Sequence, residues 1–205
     1  MNKADALGFV LAAVARLITG AQGHWKGVPP KAEQRIYFAN HQSHLDWVLI
    51  WATLPADLRA QTRPIAASDY WTTTPLKHWL TREVFRAVYV DRERKEGGPD
   101  PLEPLVAALE QGDSLVIFPE GTRTAPGTRG AYKPGVAALY RVLGLACTPM
   151  ATNSGVHWPA HGFLRRPGLV VYEFLEPLPP GLERGEFMDI LETRLEAAST
   201  ALLPL

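Results

Sequence analysis

The sequence predicts an α/β fold: a single-domain sandwich of a mostly parallel sheet flanked by helices, led by an N-terminal amphipathic helix. Three observations carry this. Short apolar runs alternate along the chain with longer segments of helical periodicity, the pattern of strands joined by crossover helices. The segment 135–143, with helical character, lies between apolar runs at 114–118 and 145–151, as a β-α-β unit requires. The length of 205 residues suits one domain able to bury a substantial core, and no internal repeat or low-complexity segment divides it.

Taken in order, residues 5–19 place Leu7, Val10, Leu11, Val14, Leu17 and Ile18 at helical spacing with Phe9 beside the stripe, and Gly20 and Gly23 end the segment. Such a stripe commonly faces a core. It also suits a membrane interface, although helices there usually carry more lysine and arginine. Residues 35–39 read as a short buried strand, and 45–54 as an apolar helix ended by Pro55. Runs at 64–67 and 87–90 are further strands, separated by an aromatic, Thr-rich stretch at 70–85 that turns helical after Pro75. A polar loop at 92–100 precedes a helix at 102–110, stopped by Gly112. Strands at 114–118, 145–151 and 169–175 and the helix at 135–143 follow. The Pro-rich stretch 176–181 is a connection, and residues 185–203 close the chain as a helix with Phe187, Ile190, Leu191, Leu195 and Leu202 on its apolar side.

Composition narrows the function. Lys+Arg and Asp+Glu balance at 21 each, so no global basic field attracts nucleic acid. Hydrophobic residues make up 46% and charged residues 20%, which leans toward apolar surface hidden in a core or at a bilayer. The apolar run 6–15 falls short of the ~18 residues a membrane span needs, and Asp5 spoils the basic start of a secretory signal. The single cysteine, Cys147, excludes an internal disulfide and reads as a buried, inert thiol.

Two segments carry chemistry, each at the end of an apolar run. The first is Asn40-His41-Gln42-Ser43-His44-Leu45-Asp46-Trp47. On one continuous helix, His41 and Asp46 would point about 140° apart. They can meet if His41 lies in the loop and Asp46 in the first helical turn, which Ser43-x-x-Asp46 favours as a capping-box pattern with Ser43 as N-cap. An imidazole oriented by a carboxylate is a general base for an attacking hydroxyl. Taken alone, the octapeptide reads first as a capped helix start. The second segment, Phe118-Pro119-Glu120-Gly121-Thr122-Arg123, tips it toward a dyad: Pro119 and Gly121 shape a turn, Arg123 can grip a phosphate bidentately and Thr122 can donate a hydroxyl. Glu120 would repel a phosphate, so its expected partner is a ligand hydroxyl or a neighbouring base. Arg92 stands at another strand end, and Lys133 precedes a helix N-terminus that favours anions. Ser43 lacks the Gly-x-Ser-x-Gly elbow of a hydrolase nucleophile. A rival of a different class is a metal-dependent hydrolase using His41, His44 and Asp46 as ligands, against which no second ligand cluster stands at a comparable strand end.

Together these segments resemble the lysophosphatidic acid acyltransferase (1-acyl-sn-glycerol-3-phosphate acyltransferase) family of glycerolipid acyltransferases. Asn40-His41-x-Ser43-x-x-Asp46 and Phe118–Arg123 match its pattern in full and at the right separation. A weaker block corresponds to residues 87–92, with Arg86 where the family commonly opens on glycine, and Thr148-Pro149-Met150 stands for a fourth. The resemblance spans residues 20–178. It implies that His41, oriented by Asp46, deprotonates the free hydroxyl of a lysophospholipid, which attacks the thioester of acyl-CoA or acyl carrier protein without an acyl-enzyme. It further implies that Arg92, Glu120, Gly121, Thr122 and Arg123 bind the acceptor's glycerol-phosphate end, that neither metal nor cofactor is required, and that the enzyme sits at the cytosolic face of a membrane, peripheral or monotopic. The chain then divides into residues 1–24, an amphipathic helix open to both core and membrane-anchor readings, and an acyltransferase domain at 25–205. Lysophosphatidic acid is the leading acceptor; another lysolipid, such as lyso-ornithine lipid or lysophosphatidylglycerol, fits the same residues. The acyl-chain length, the choice of donor and the oligomeric state are not written in these motifs.

Overall fold

The computed structural model describes residues 3–27, 29–91, 100–159 and 166–204. In chain order its elements are α1 (Lys3–Thr19), β1 (Gln22–Trp25), β2 (Arg35–Ala39), α2 (Asp46–Thr53), α3 (Ala56–Gln61), β3 (Thr62–Ala67), α4 (Ser68–Trp71) and α5 (Pro75–Trp79). A π-helical turn over Leu80–Val84 continues α5. There follow β4 (Val88–Val90), α6 (Glu103–Glu110), β5 (Ser114–Ile117), α7 (Gly135–Leu143), β6 (Ala146–Thr152), α8 (Ser154–His157), β7 (Val171–Phe174) and α9 (Arg184–Ala201).

The strands form one seven-stranded sheet in the order β1-β7-β6-β2-β5-β3-β4, every neighbouring pair parallel except β6 and β7. The α/β sandwich expected from the sequence is the fold observed. All five residues of β2 and all four of β5 are buried, as central parallel strands covered on both faces must be. The two-residue side-chain period then divides the core. Ile36, Phe38, Leu115 and Ile117 pack on one face with residues of α6, α7 and α9. Tyr37, Ala39 and Val116 pack on the other with Leu49 and Ile50 of α2, Leu54 just after it and Leu58 of α3. Cys147 lies in the first core, where burial pushes its thiol up to about 12.

Element bounds follow the sequence pattern to within a few residues, with several differences. Gly20 closes α1, but Gly23 lies inside β1, a four-residue strand that pairs with β7 and that hydrophobic pattern does not reveal. The short α3, α4 and α8 are likewise new. Helix α5 does start at Pro75, with the Thr74 hydroxyl accepting from Lys77 N at 3.3 Å as its N-cap. The stripe of α1 is turned around from the core reading. Gly8, Ala12 and Thr19 face inward, and a Cβ on Gly8 would stand 2.9 Å from the Trp51 ring, so the helix approaches α2 too closely for a larger residue. Most of the large residues face out: Leu17 is 85% and Phe9 65% exposed, with Val10, Val14 and Ile18 also at the surface, while Leu7 and Leu11 are partly buried. Among the described residues, no helix is long and apolar enough to cross a membrane.

Arg86 is the one described non-glycine residue with positive φ, at 48°. It is where the sequence departs from the glycine common in the resembled family. The left-handed conformation costs an L-residue about 1–2 kcal/mol, against which glycine loses about 0.5–1 kcal/mol of extra entropy on folding. The Arg86 side chain is half exposed and meets Asp5 only at 3.8 Å, so little opposes the exchange. Arg86→Gly is expected to raise Tm by about 2–3 °C in a thermal melt; a lowered Tm would show that the ion pair outweighs the backbone strain.

Candidate active site

Three adjacent parallel strands, β6, β2 and β5, end on the same edge of the sheet, and each releases its chain into a polar loop there. Ligands of open α/β sheets bind at this edge, outside the carboxyl ends of the strands. From β2 come Asn40 and His41, from β5 Phe118–Arg123, and from β6 Asn153 and Ser154.

His41 and Asp46 meet as the loop-to-helix geometry allows: Asp46 begins α2, and its Oδ2 lies 2.8 Å from His41 Nδ1. A carboxylate only accepts, so Nδ1 carries the proton in this bond and Nε2 is left with the free lone pair. The imidazole plane is set by Phe118, stacked at 4.0 Å between centroids and 17° between planes. Its backbone is held from both sides: His41 N donates to Glu120 Oε2 at 3.0 Å, and His41 O accepts from Thr124 N at 2.8 Å. Asp46 is 0% exposed and accepts five hydrogen bonds. Oδ2 also takes Gln42 N at 2.7 Å and Ser43 N at 2.8 Å, while Oδ1 takes Tyr172 Oη at 2.9 Å and Ser154 Oγ.

The capping role expected of Ser43 is altered. Leu45 is the N-cap of α2, without a side-chain bond, and Ser43 Oγ accepts from Leu45 N at 3.2 Å in the turn ahead of the helix. What survives of the capping box is the return arm, Ser43 N donating to Asp46. Asn40 anchors the loop to the next strand, its Oδ1 accepting from Thr152 N at 2.8 Å and its Nδ2 donating to Thr152 O and to Ser199 Oγ of α9.

Glu120 is 2% exposed, and its partner is the His41 backbone rather than a neighbouring basic side chain. Gly121 turns the chain at φ 67°, and a Cβ there would stand 3.3 Å from Cε of Lys133, whose stem therefore lies over the turn. Lys133 N also donates to Pro119 O at 2.8 Å. Gly121, Thr122, Arg123 and Lys133 are all exposed on this rim, with the Arg123 guanidinium against the His44 ring. Arg92 lies outside the described residues. The His41, His44 and Asp46 donors do not converge on a metal position, because both Asp46 oxygens are filled by hydrogen bonds and His44 faces Arg123. No cluster of three His, Cys, Asp or Glu side chains suited to a metal exists among the described residues.

Thr124, Ser154 and Tyr172 lie outside the motifs read from the sequence, and Phe118, inside the second motif, gains a role stacked on His41 that the motif does not indicate. The polar run Thr152-Asn153-Ser154 at the end of a strand repeats the signal of the other two loops and could have pointed to Ser154. Tyr172 sits in an ordinary buried strand and carries no such signal.

Comparison with known proteins agrees with the motifs. Residues 25–153 match the family model described as Acyltransferase, and the chain belongs to that family. It is 40% identical over 62 residues to a 1-acyl-sn-glycerol-3-phosphate acyltransferase of Pseudomonas aeruginosa, covering 30% of this chain and 24% of that protein. It is 28% identical over 148 residues to the protein of the same name from Helicobacter pylori, covering 70% of this chain and 60% of that one. The chain thus spans about a quarter to three fifths of the length of these two relatives. Its fold is similar to the crystal structure of the 1-acyl-sn-glycerophosphate (LPA) acyltransferase PlsC from Thermotoga maritima, with a TM-score of 0.76 and 21% identity over 96% of this chain and 78% of that one.

Burial pushes the Glu120 carboxyl from its ordinary 4.5 up to about 7; the His41 N–H pulls it back down, and the charges of Glu196 and Asp46 raise it further. The folded protein therefore holds this proton more tightly than the unfolded chain. The stability it contributes is fully present below pH 4.5 and is lost as pH rises through 7. Glu120→Gln, which keeps an acceptor for His41 N, is expected to flatten the stability profile across that window by about 3 kcal/mol. Urea unfolding at several pH values measures this; an unchanged profile would place the titrating group elsewhere.

Proposed function

We propose that the chain is a glycerolipid acyltransferase, moving a fatty acyl group from an acyl thioester to the free hydroxyl of a lysophospholipid, with lysophosphatidic acid the leading acceptor and phosphatidic acid its product. The observation that carries this reading is the His41–Asp46 bond standing beside the exposed Gly121–Arg123 turn at one sheet edge. Nε2 of His41 takes the proton of the acceptor hydroxyl as its oxygen attacks the thioester carbonyl. The C–O bond forms, the C–S bond breaks, and the proton passes from the imidazolium to the departing sulfur. Asp46 holds the ring and stabilises the imidazolium between these steps. Acyl-CoA or acyl carrier protein supplies the thioester, and no metal or other cofactor enters the scheme. Arg123, Lys133, Thr122 and the backbone of Gly121 would meet the acceptor's phosphate, a reading supported by their exposure on one rim, with Arg92 as a further candidate. Glu120 supports His41 through its backbone, a role its burial favours over direct contact with the acceptor.

The apolar face of α1 supports the membrane-anchor reading for residues 1–24. A monotopic or peripheral seat, on the cytosolic face that the resemblance implies, would bury Phe9, Val10, Val14, Leu17 and Ile18, at about 1.5–3 kcal/mol for each fully buried large side chain.

An acyl-transfer assay crossing phosphate-bearing and phosphate-free lysolipids with both donor types tests the reaction. His41→Ala is expected to lower kcat by about 10²–10⁴-fold with the fold intact; near-normal turnover would sink the mechanism. Arg123→Ala is expected to raise the acceptor KM and leave the donor KM nearly unchanged. In vesicle flotation, Phe9→Ser with Leu17→Ser should reduce bound protein several-fold, and equal flotation of wild type and variant would remove α1 from the interface.

A further inference from the structure

Two hydroxyls far from both motifs in sequence converge on the carboxylate that orients His41. Tyr172 Oη and Ser154 Oγ donate to Asp46 Oδ1, the phenol at 2.9 Å, while Oδ2 receives His41 Nδ1 and two backbone N–H groups. Ser154 and Tyr172 are both 0% exposed. The family match ends at residue 153, just short of the first of them.

We infer that Ser154 and Tyr172 are positioning residues of the reaction, pinning Asp46 Oδ1 so that Oδ2 stays aimed at His41 Nδ1. The inference rests on the acyltransferase reading above. A carboxylate can rotate about its Cβ–Cγ bond, and with Oδ1 unsupported the aim of Oδ2 loosens. Neutral hydroxyls are the fitting donors for this task. They satisfy Oδ1 yet leave the full charge of the carboxylate to stabilise the imidazolium, which a lysine or arginine in their place would cancel. Burial, with the adjacent charge of Asp46, pushes the Tyr172 phenol well above its ordinary range, so it remains a donor.

The two hydroxyls are themselves held in place by one strand pair. Ser154 N donates to Thr152 Oγ1 at 3.0 Å, and Thr152 stands opposite Tyr172 in the β6–β7 register. Asn153 joins the same structure, its Oδ1 accepting from Val171 N at 2.9 Å and its Nδ2 donating to Leu169 O at 3.2 Å. The antiparallel end of the sheet is thereby made part of the catalytic apparatus.

Tyr172→Phe and Ser154→Ala each remove one hydroxyl, and two measurements decide the matter. The first needs no substrate: in urea unfolding, the stability lost through Tyr172→Phe should shrink to about half when Asp46 is first changed to Asn. Fully additive losses would overturn the contact. The second is kinetic: each single variant should lower kcat about tenfold, with both KM values held within about twofold. The Tyr172→Phe effect should then vanish in the Asp46→Asn background. An unchanged kcat per folded enzyme, or an effect confined to KM, would overturn the positioning role. Should Ser154→Ala fail to fold, Tyr172→Phe keeps the ring and carries the decision. A wild-type protein that transfers no acyl group would instead sink the acyltransferase reading, and the unfolding cycle would still decide whether the hydroxyls hold Asp46.

Discussion

A fully buried carboxylate is costly unless every lone pair is satisfied, and Asp46 is the point around which this structure is organised. Its five donors come from three separated stretches of chain: the loop after β2, the start of α8 and the middle of β7. None of these can be displaced without leaving a buried charge short of partners, so the site and the fold share one requirement. Asn40 extends the same logic outward. By pairing with both backbone polar groups of Thr152 and with Ser199, it ties the loop carrying the histidine to β6 and to the last helix.

Two acids flank His41 and do opposite work. Asp46 is surrounded by hydrogen-bond donors that occupy both of its oxygens. Glu120 has the His41 N–H and the Thr124 hydroxyl on its side, but burial and the neighbouring acids dominate and push it up to about 7. The first can therefore serve a cationic imidazole while the second serves mainly as a brace. With Thr124 gripping the carbonyl and Phe118 stacked beneath the ring, His41 has its backbone, its plane and its tautomer each fixed by a different contact. Fixing all three before substrate arrives is the preorganisation that the proposed general-base step would need.

Much of this was legible in the residues. The burial of β2 and β5 on both faces shows as apolar runs, and the polar motifs stand where those runs stop. Periodicity located α7 and α9 because each presents one dominant apolar face. It leaves α1 open to both a core and a membrane-anchor reading because both sides of that helix are apolar, and pattern alone does not say that Gly8 and Ala12, rather than Leu17 and Phe9, face inward. Only the 2.9 Å approach of the Gly8 position to Trp51 explains that choice. The β1 strand was missed because its residues, Gln22-Gly23-His24-Trp25, carry weak strand signals and owe their conformation to β7. Tyr172 and the backbone partner of Glu120 belong to the same category: their roles depend on neighbours 126 and 79 positions away.

The reversed packing of α1 connects the surface of the molecule to its chemistry. Helix α2 begins on Asp46, and within its next turns Trp47 and Trp51 pack edge-to-face on Phe85, with Trp71 against Trp47. Gly8 of α1 rests on the far edge of Trp51. A continuous set of rigid aromatic contacts thus runs from the dyad to the helix whose large side chains face solvent. Small residues at the α1–α2 seam make that contact close, and closeness leaves little freedom for the helix to tilt. If α1 seats in a bilayer as proposed, the orientation of the dyad against the lipid plane is set by this seam and not by a flexible tether. For a lysolipid entering from the membrane, that constancy would bring its free hydroxyl toward Nε2 from one direction, the same entropic advantage that the caged Asp46 gives to the imidazole.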